Sequence, residues 1–500
     1  MDIFSTTVAA GTLVIKFLAA CSEFSSDAKS LKARFEWDLQ ALKEAQERFA
    51  EGWVCENDQD LAPEDEDLLG RTSEYLNRLV TKVHKNLRKI EHRGWLQHTV
   101  NMATWIARRS QIQEMEREIH EWTERLHLRV LSLPRDVRVS ISAAYSKSNH
   151  THQSTVLRSG CRLQEFLTLS LAAKLLRARE MMLRTPEELI SKIREMGDIS
   201  SLPFHDDDKQ IIFSSREVSP KISPGTPGFE TLVSDMGKLA AALNCLDPST
   251  DVRILKVNYY FYHPDARQFF FAQVPPHHVD SMMTLQEFIK YDSFPGIETA
   301  LNERIKVAYK LAEAVFFLHT AGFCHKNITS RSIVILRKYN TQCGATVPPS
   351  TTDEAYLMGF DLIRGADAVT YKENALSRGK SQLPTDIWDF DIFQHPARLQ
   401  ADNITRYNKA HDVYSLGVVL LELGFWQPLS EVAGRIDRGN PTSWAQELFW
   451  IAPNIRQRVG ERYQRVVQWC LSLPGDRNIK HVEFMQKILD PLEEIMSALA

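Results

Sequence analysis

The spacing of apolar residues changes near residue 209, and that change limits what this chain can fold into. Before it, apolar side chains recur every three or four residues, the period of an amphipathic helix. After it come β-branched and aromatic runs of strand length, followed by helical spacing again. The pattern predicts an all-α region followed by an α+β region. At 500 residues the chain has room for two to four domains, and either half can bury a core. We divide it at 1–134, a helical bundle; 135–200, a linker with connecting helices; 201–290, a small mixed lobe; and 291–500, a larger helical lobe.

The first segment, Ile3 to Cys21, is apolar or small except for Lys16. Asp2 stands where a signal peptide carries positive charge, and Lys16 interrupts a membrane span, so the segment reads as a buried first helix. A second helix shows Leu31, Phe35, Leu39, Leu42 and Phe49, with Ser25-Ser26-Asp27 as its cap. A third opens on Pro63 and three acids, which suit the positive end of a helix dipole. It carries the stripe Leu68, Thr72, Tyr75, Leu79, Val83, Leu87 and Ile90, and Gly94 ends it. A fourth presents Ile112, Met115, Ile119, Trp122 and Leu126 and is closed by Pro134. Amphipathic helices joined by short links specify a bundle. Two more helices are expected, from Cys161 to Leu183 and after the capping box at Thr185-Pro186-Glu187-Glu188.

In the second region, Gln210 to Phe213, Val252 to Tyr262 and Gln268 to Val274 read as strands, the last two joined at His263-Pro264-Asp265. Phe229 to Leu243 reads as a helix. The seven cysteines are scattered and form no C-x-x-C pair, which points to a reducing compartment, and a cytoplasmic location is expected. The histidines include no H-E-x-x-H, and His150 and His152 lie in a polar loop. A net charge of -4 gives no electrostatic footprint for nucleic acid.

Three ordered stretches carry the chemistry of the second region. His325-Lys326-Asn327-Ile328 follows a long helix ending at Leu318-His319. Tyr356-Leu357-Met358-Gly359-Phe360-Asp361-Leu362 follows a strand. Asp412-Val413-Tyr414-Ser415-Leu416-Gly417 opens an apolar helix. Together they resemble, over about residues 205–490, the H-R-D-L loop, the D-F-G motif and the D-x-W-S-x-G helix of the protein kinases. The resemblance implies a bilobal protein-kinase-like fold with His325, Phe360 and Asp412 as its structural core, Asp412 capping the catalytic-loop backbone from below. It also implies that the chemistry is missing. Asn327 stands where an aspartate orients the acceptor hydroxyl, Thr329 where a lysine meets the phosphate, and Ser332 where an asparagine binds magnesium. Gly359 stands where an aspartate binds metal, with Asp361 two residues later. Arg216 is the nearest candidate for the phosphate-binding strand lysine, with Glu230 or Asp235 as its acidic partner. Catalytic residues are therefore expected to be absent. Arg216, Gly359, Phe360 and Asp361 are the weak candidates for a nucleotide site; ATP binding stays open without support, and no metal is expected.

The opening MDIFSTTVAAGTLVIKFLAACSEF and the Phe35/Leu39/Leu42 helix resemble the fungal HeLo (prion-inhibition and propagation) domain. The plan, a bundle ahead of a degenerate kinase-like domain, is similar to that of the mixed lineage kinase domain-like protein. The resemblance implies a pseudokinase-regulated effector of incompatibility or programmed cell death, whose bundle oligomerises or engages membrane. Lys82, Lys85, Arg88, Lys89 and Arg93 form a basic run on the third helix suited to anionic headgroups, or simply a solvated face. Implied partners are other proteins, the chain itself and an anionic membrane, with recruitment from the cytoplasm. Two alternatives stay open: a protein-binding adaptor whose bundle is an oligomerisation module, and a divergent active Ser/Thr kinase using Asp361.

Overall fold

The computed structural model describes residues 14–19, 21–22, 25–50, 63–90, 98–133, 155–182, 191, 204–206, 210–218, 222–247, 252–292, 299–339, 351–358, 364–365, 391–399, 407–433 and 441–499. The chain separates into two compact units, Met1–Arg158 and Ser159–Ala500. The first is helical in its described residues, and the second is α+β with small antiparallel sheets.

In the first unit, residues 14–19 are helical and precede α1 (Ser26–Ala50), α2 (Pro63–Ile90) and α3 (His98–Val130). Val14, Phe17, Leu18 and Cys21 are buried while Lys16 is exposed, so this stretch turns one face inward. Leu31 and Phe35 of α1, Leu68, Thr72, Tyr75 and Leu79 of α2, and Ile112, Met115, Ile119 and Leu126 of α3 are all buried. They repeat at three and four residues, which places each set on one side of its helix. Ser25 Oγ accepts the Ala28 N–H at 3.3 Å, capping the start of α1. Buried charge runs beside this apolar stripe: Asp38, Glu116, His127 and Arg129 are all enclosed.

The second unit begins with α4 (Thr155–Thr168) and α5 (Leu171–Glu180). The single helix expected from Cys161 to Leu183 is thus two helices. Ser170 leaves helical geometry and its Oγ accepts the Ala173 N–H, so a serine that looked like one more helical residue is an N-cap. The Thr185 capping box lies outside the described residues.

A four-stranded antiparallel sheet follows, with strand order β1-β2-β4-β3. Its strands are β1 (Phe204–Asp206), β2 (Ile211–Glu217), β3 (Lys256–His263) and β4 (Gln268–Val274). The β3–β4 pair is the expected hairpin, starting four residues later than Val252. Phe213, Phe261, Phe270 and Ala272 form its core, with the Phe261 and Phe270 rings stacked at 5.3 Å. Helix α6 (Pro227–Asn244) is capped by Thr226, with Pro227 in the first turn. Its Gly237 admits Tyr260 and Ala178 so closely that a Cβ there would stand 2.6 Å from the Tyr260 hydroxyl.

The remainder is mainly helical. Strand β5 (Ser281–Thr284) leads into α7 (Leu285–Asp292) and α8 (Leu301–Thr320). Short β6 (Phe323–Cys324) pairs with β9 (Arg364–Gly365), and β7 (Ile333–Tyr339) lies between β5 and β8 (Thr351–Leu357). Helix α9 (Lys409–Phe425) is buried at sixteen of its seventeen residues, Ala410 to Phe425, mostly apolar but enclosing His411, Asp412, Ser415 and Glu422 as well. Helices α10 (Pro441–Ile451), α11 (Arg456–Leu471) and α12 (Asp490–Leu499) complete the unit. Gly417 lets α9 approach α11; a Cβ there would meet Cys470 Cβ at 2.4 Å. Among the described residues, no helix is long and apolar enough to cross a membrane.

Candidate functional site

The stretches beginning at His325 and Asp412 meet beyond the C-terminal end of α8. Helix α8 stops at Thr320, Gly322 turns the chain at φ 84°, and β6 delivers it into the loop of residues 325–332. From the other side comes the N-terminus of α9. Asn408 Oδ1 accepts the Ala410 and His411 N–H groups, and His411 Nδ1 accepts the Asn408 N–H, a reciprocal capping box. This fixes Asp412 in the first turn of α9, where the helix dipole favours its charge.

Asp412 is wholly buried and accepts four hydrogen bonds. Its Oδ2 receives the His325 backbone N–H at 2.7 Å and His319 Nε2 at 3.0 Å. Its Oδ1 receives the Lys326 backbone N–H at 2.8 Å and the Tyr407 hydroxyl at 2.7 Å. Burial alone pushes the carboxyl up, but the bonds from His319 and Tyr407 outweigh it and hold the group at about 2. Burial lowers His319, so the ring is neutral and its Nε2–H is the donor. Burial likewise takes His325 down to about 4, partly offset by Asp412 and the Met358 backbone.

The loop itself is wound tightly. Lys326 adopts φ 66°, a left-handed conformation that costs a non-glycine residue about 1–2 kcal/mol. The Asp412 bonds to its own N–H and to that of His325 compel the turn. Lys326 is buried, with Nζ 5.3 Å from the Tyr407 ring centroid. Thr329 N–H donates to Ser332 Oγ at 2.9 Å and Ser332 N–H to Thr329 Oγ1 at 3.0 Å, closing a reciprocal turn. Ser332 Oγ donates to the Asn327 carbonyl, and the Met358 N–H donates to the Ser332 carbonyl at 2.7 Å, tying the loop to the end of β8. Asn327 is half-buried, with its N–H on His325 Nδ1 at 3.3 Å. The hydroxyls at 329 and 332 thus serve the turn's own backbone.

His325, Lys326, Asn327, Thr329, Ser332 and Asp412 are therefore brought together. Gly359, Phe360 and Asp361 lie outside the described residues. Arg216 sits on β2, buried, with Nη1 3.7 Å from Met236 Sδ on α6. Glu230 is exposed at the start of α6, and Asp235 is 3.3 Å from Lys238. Of the basic run, Lys82 is half-buried on α2. Lys85, Arg88 and Lys89 continue that helix, but their side chains, and all of Arg93, lie outside the described residues.

His319, Cys324 and Asp412 bring potential ligand atoms within 4.8 Å of one another. Both Asp412 oxygens already accept two donors each, and burial raises the Cys324 thiol far above the range in which it becomes thiolate. A cation would have to displace the bonds that shape the loop. His319 and Tyr407 complete the shell around Asp412; the sequence marked them only as the end of the long helix and part of the segment before Asp412, not as its partners. A histidine ending the helix before the loop and a tyrosine five residues before the aspartate were the available signals. No protein-family model matches the chain, and no curated protein matches its sequence.

Proposed function

We propose that this chain is a pseudokinase-type signalling effector: a kinase-like α+β unit that binds and switches without transferring phosphate, joined to a helical unit that acts on a membrane or on other copies of itself. One observation carries the reading. The loop at 325–332 is held in a strained shape by the Asp412 bonds to its backbone, yet the groups at its chemical positions are an amide and two hydroxyls turned to local backbone bonds. Phosphoryl transfer needs a carboxylate toward the acceptor and ligands toward magnesium. Within the loop there is neither, and each such group is worth several kcal/mol of transition-state stabilisation. In this reading the loop at 325–332 offers magnesium–ATP no carboxylate of its own.

A domain that keeps its loop architecture while lacking the reacting groups is suited to recognition. In this reading the kinase-like unit restrains the helical unit and a binding event releases it, with incompatibility-type cell death as the output. Lys82 and the basic residues after it supply attraction to anionic headgroups, about 1 kcal/mol each near the surface. The apolar face around Val14, Phe17 and Leu18 supplies burial in lipid once uncovered, about 0.8 kcal/mol per methylene.

Dye release from phosphatidylserine vesicles, compared with neutral vesicles, tests it. Residues 1–158 should release dye from the anionic vesicles, and the full chain should release several-fold less. Inertness of both on anionic vesicles would remove membrane action. A stable oligomer without lipid affinity would leave the adaptor role.

A further inference from the structure

Between α1 and α3 the helical unit buries charge that it does not fully pair. Asp38 is completely enclosed, and among the described residues its close charged contact is Oδ1 to His120 Nδ1 at 3.4 Å. Its Oδ2 is enclosed and accepts no hydrogen bond. One turn before, Glu116 is also buried and lies 3.3 Å from Arg34. On the far side, His127 is 3.6 Å from Glu124 on their shared helix. The charged groups acting on the Asp38–His120 pair are thus Glu116, Glu124 and His127 from α3 and, through Glu116, Arg34 from α1. From α2, Thr72 and Tyr75 turn inward, and Arg129 stacks on the Tyr75 ring at 4.1 Å. Asp38, Glu116 and Glu124 thus surround His120, so the charge balance around Asp38 depends on whether His120 carries a proton.

We propose that the packing of α1 on α3 is a proton-operated latch, closed when His120 is protonated against Asp38 and loosened when His120 loses that proton. With His120 neutral, Asp38 is left as a buried anion beside Glu116 and Glu124, an arrangement that drives the helices apart. The latch rests on the effector reading only for its purpose, the release of the helical unit, because its closure is measured without any membrane.

The electrostatics agree in sign. The hydrogen bond to Asp38 lifts His120 to about 9, against its burial, while burial raises both Asp38 and Glu116. All three groups bind protons more tightly packed than apart. A histidine raised in the packed state contributes stability that is complete below about 6.5 and is lost as pH rises toward 9. Opening α1 therefore releases up to one proton in this window, and the opening equilibrium rises with pH by up to about tenfold per unit. Half of the His120 side chain meets solvent, which screens the pair and makes several-fold per unit the expected slope.

The test uses the full chain. Hydrogen exchange of α1 is followed from pH 6 to 9, corrected for the intrinsic pH dependence of exchange and compared with α9 as an internal reference. Protection of α1 should fall several-fold per pH unit relative to α9, and Asp38→Asn should flatten that difference. Parallel behaviour of the two helices would overturn the latch. If Asp38→Asn does not fold, NMR titration of His120 in the unsubstituted chain decides, its resonance assigned by loss in His120→Gln. Titration well above 6.5 supports the latch, and titration at or below 6.5 contradicts it. Vesicle leakage plays no part, so the latch can stand or fall independently of membrane action.

Discussion

Asp38 and Asp412 are both wholly buried aspartates, and their surroundings are opposite. Asp412 meets four donors, two of them backbone N–H groups, and its carboxyl is held at about 2. Asp38 meets one half-exposed histidine at 3.4 Å, keeps an oxygen with no donor, and its carboxyl is raised by burial. A buried charge stabilises a fold only when its bonds repay desolvation. Asp412 satisfies that condition, and Asp38 does not. The Asp412 bonds fix the loop beside it, and under the proposed latch Asp38 is where the helical unit opens.

The contrast is broken most severely at Asp412. Asp412→Ala leaves two loop N–H groups, His319 and Tyr407 without their acceptor, and should cost about 3–5 kcal/mol. Urea unfolding would register it as loss of the α+β transition, with the helical transition in place. Acid titration should come next. His325 at about 4 and His411 at about 3 lie below the unfolded value near 6.5, so the unfolded chain binds their protons first. Their stabilisation is complete above 6.5 and is lost as pH falls toward 4, at about 1.4 kcal/mol per net proton per pH unit. Glu422, pushed up to about 7 by burial, opposes them over the same interval, so Glu422→Gln should steepen the acid loss. Thermal melts should show the α+β unit weakening toward acid and the helical unit weakening toward alkali. Transitions that move together would refute the comparison.

Two smaller effects sharpen it. Gly417→Ala forces a Cβ onto Cys470 and should cost about 1–3 kcal/mol, read as a lower urea midpoint for the α+β unit alone. Asp38→Leu should do the reverse in the helical unit, raising its midpoint by about 1 kcal/mol, because an apolar side chain replaces a poorly paired charge.

Much of the architecture could be read from spacing. The stripes Leu68/Thr72/Tyr75/Leu79 and Ile112/Met115/Ile119 are buried, and β4 runs from Gln268 to Val274 as its pattern indicated. The break at Ser170 escaped because serine sits in a helix interior and at its cap without a change in apolar period. The buried charges escaped for a related reason. Asp38, Glu116 and His127 flank the apolar stripe, and periodicity assigns polar residues to solvent, whereas the second row of a wide helix face is also enclosed. At the candidate site, the loop's departures were visible residue by residue at Asn327, Thr329 and Ser332. The bonds that occupy the hydroxyls span only three to five residues but depend on how tightly the loop is wound, Tyr407 reaches Asp412 from five residues away, and His319 meets Asp412 across 93 residues; all of these needed coordinates.

The central claim is that the α+β unit keeps its loop and lacks phosphotransfer. Incubating the full chain with radiolabelled ATP, magnesium and a generic protein acceptor, beside the Asp361→Ala variant, tests it directly. The account expects no incorporation above a protein-free control for either chain. Incorporation by the unsubstituted chain that disappears with Asp361→Ala would contradict it.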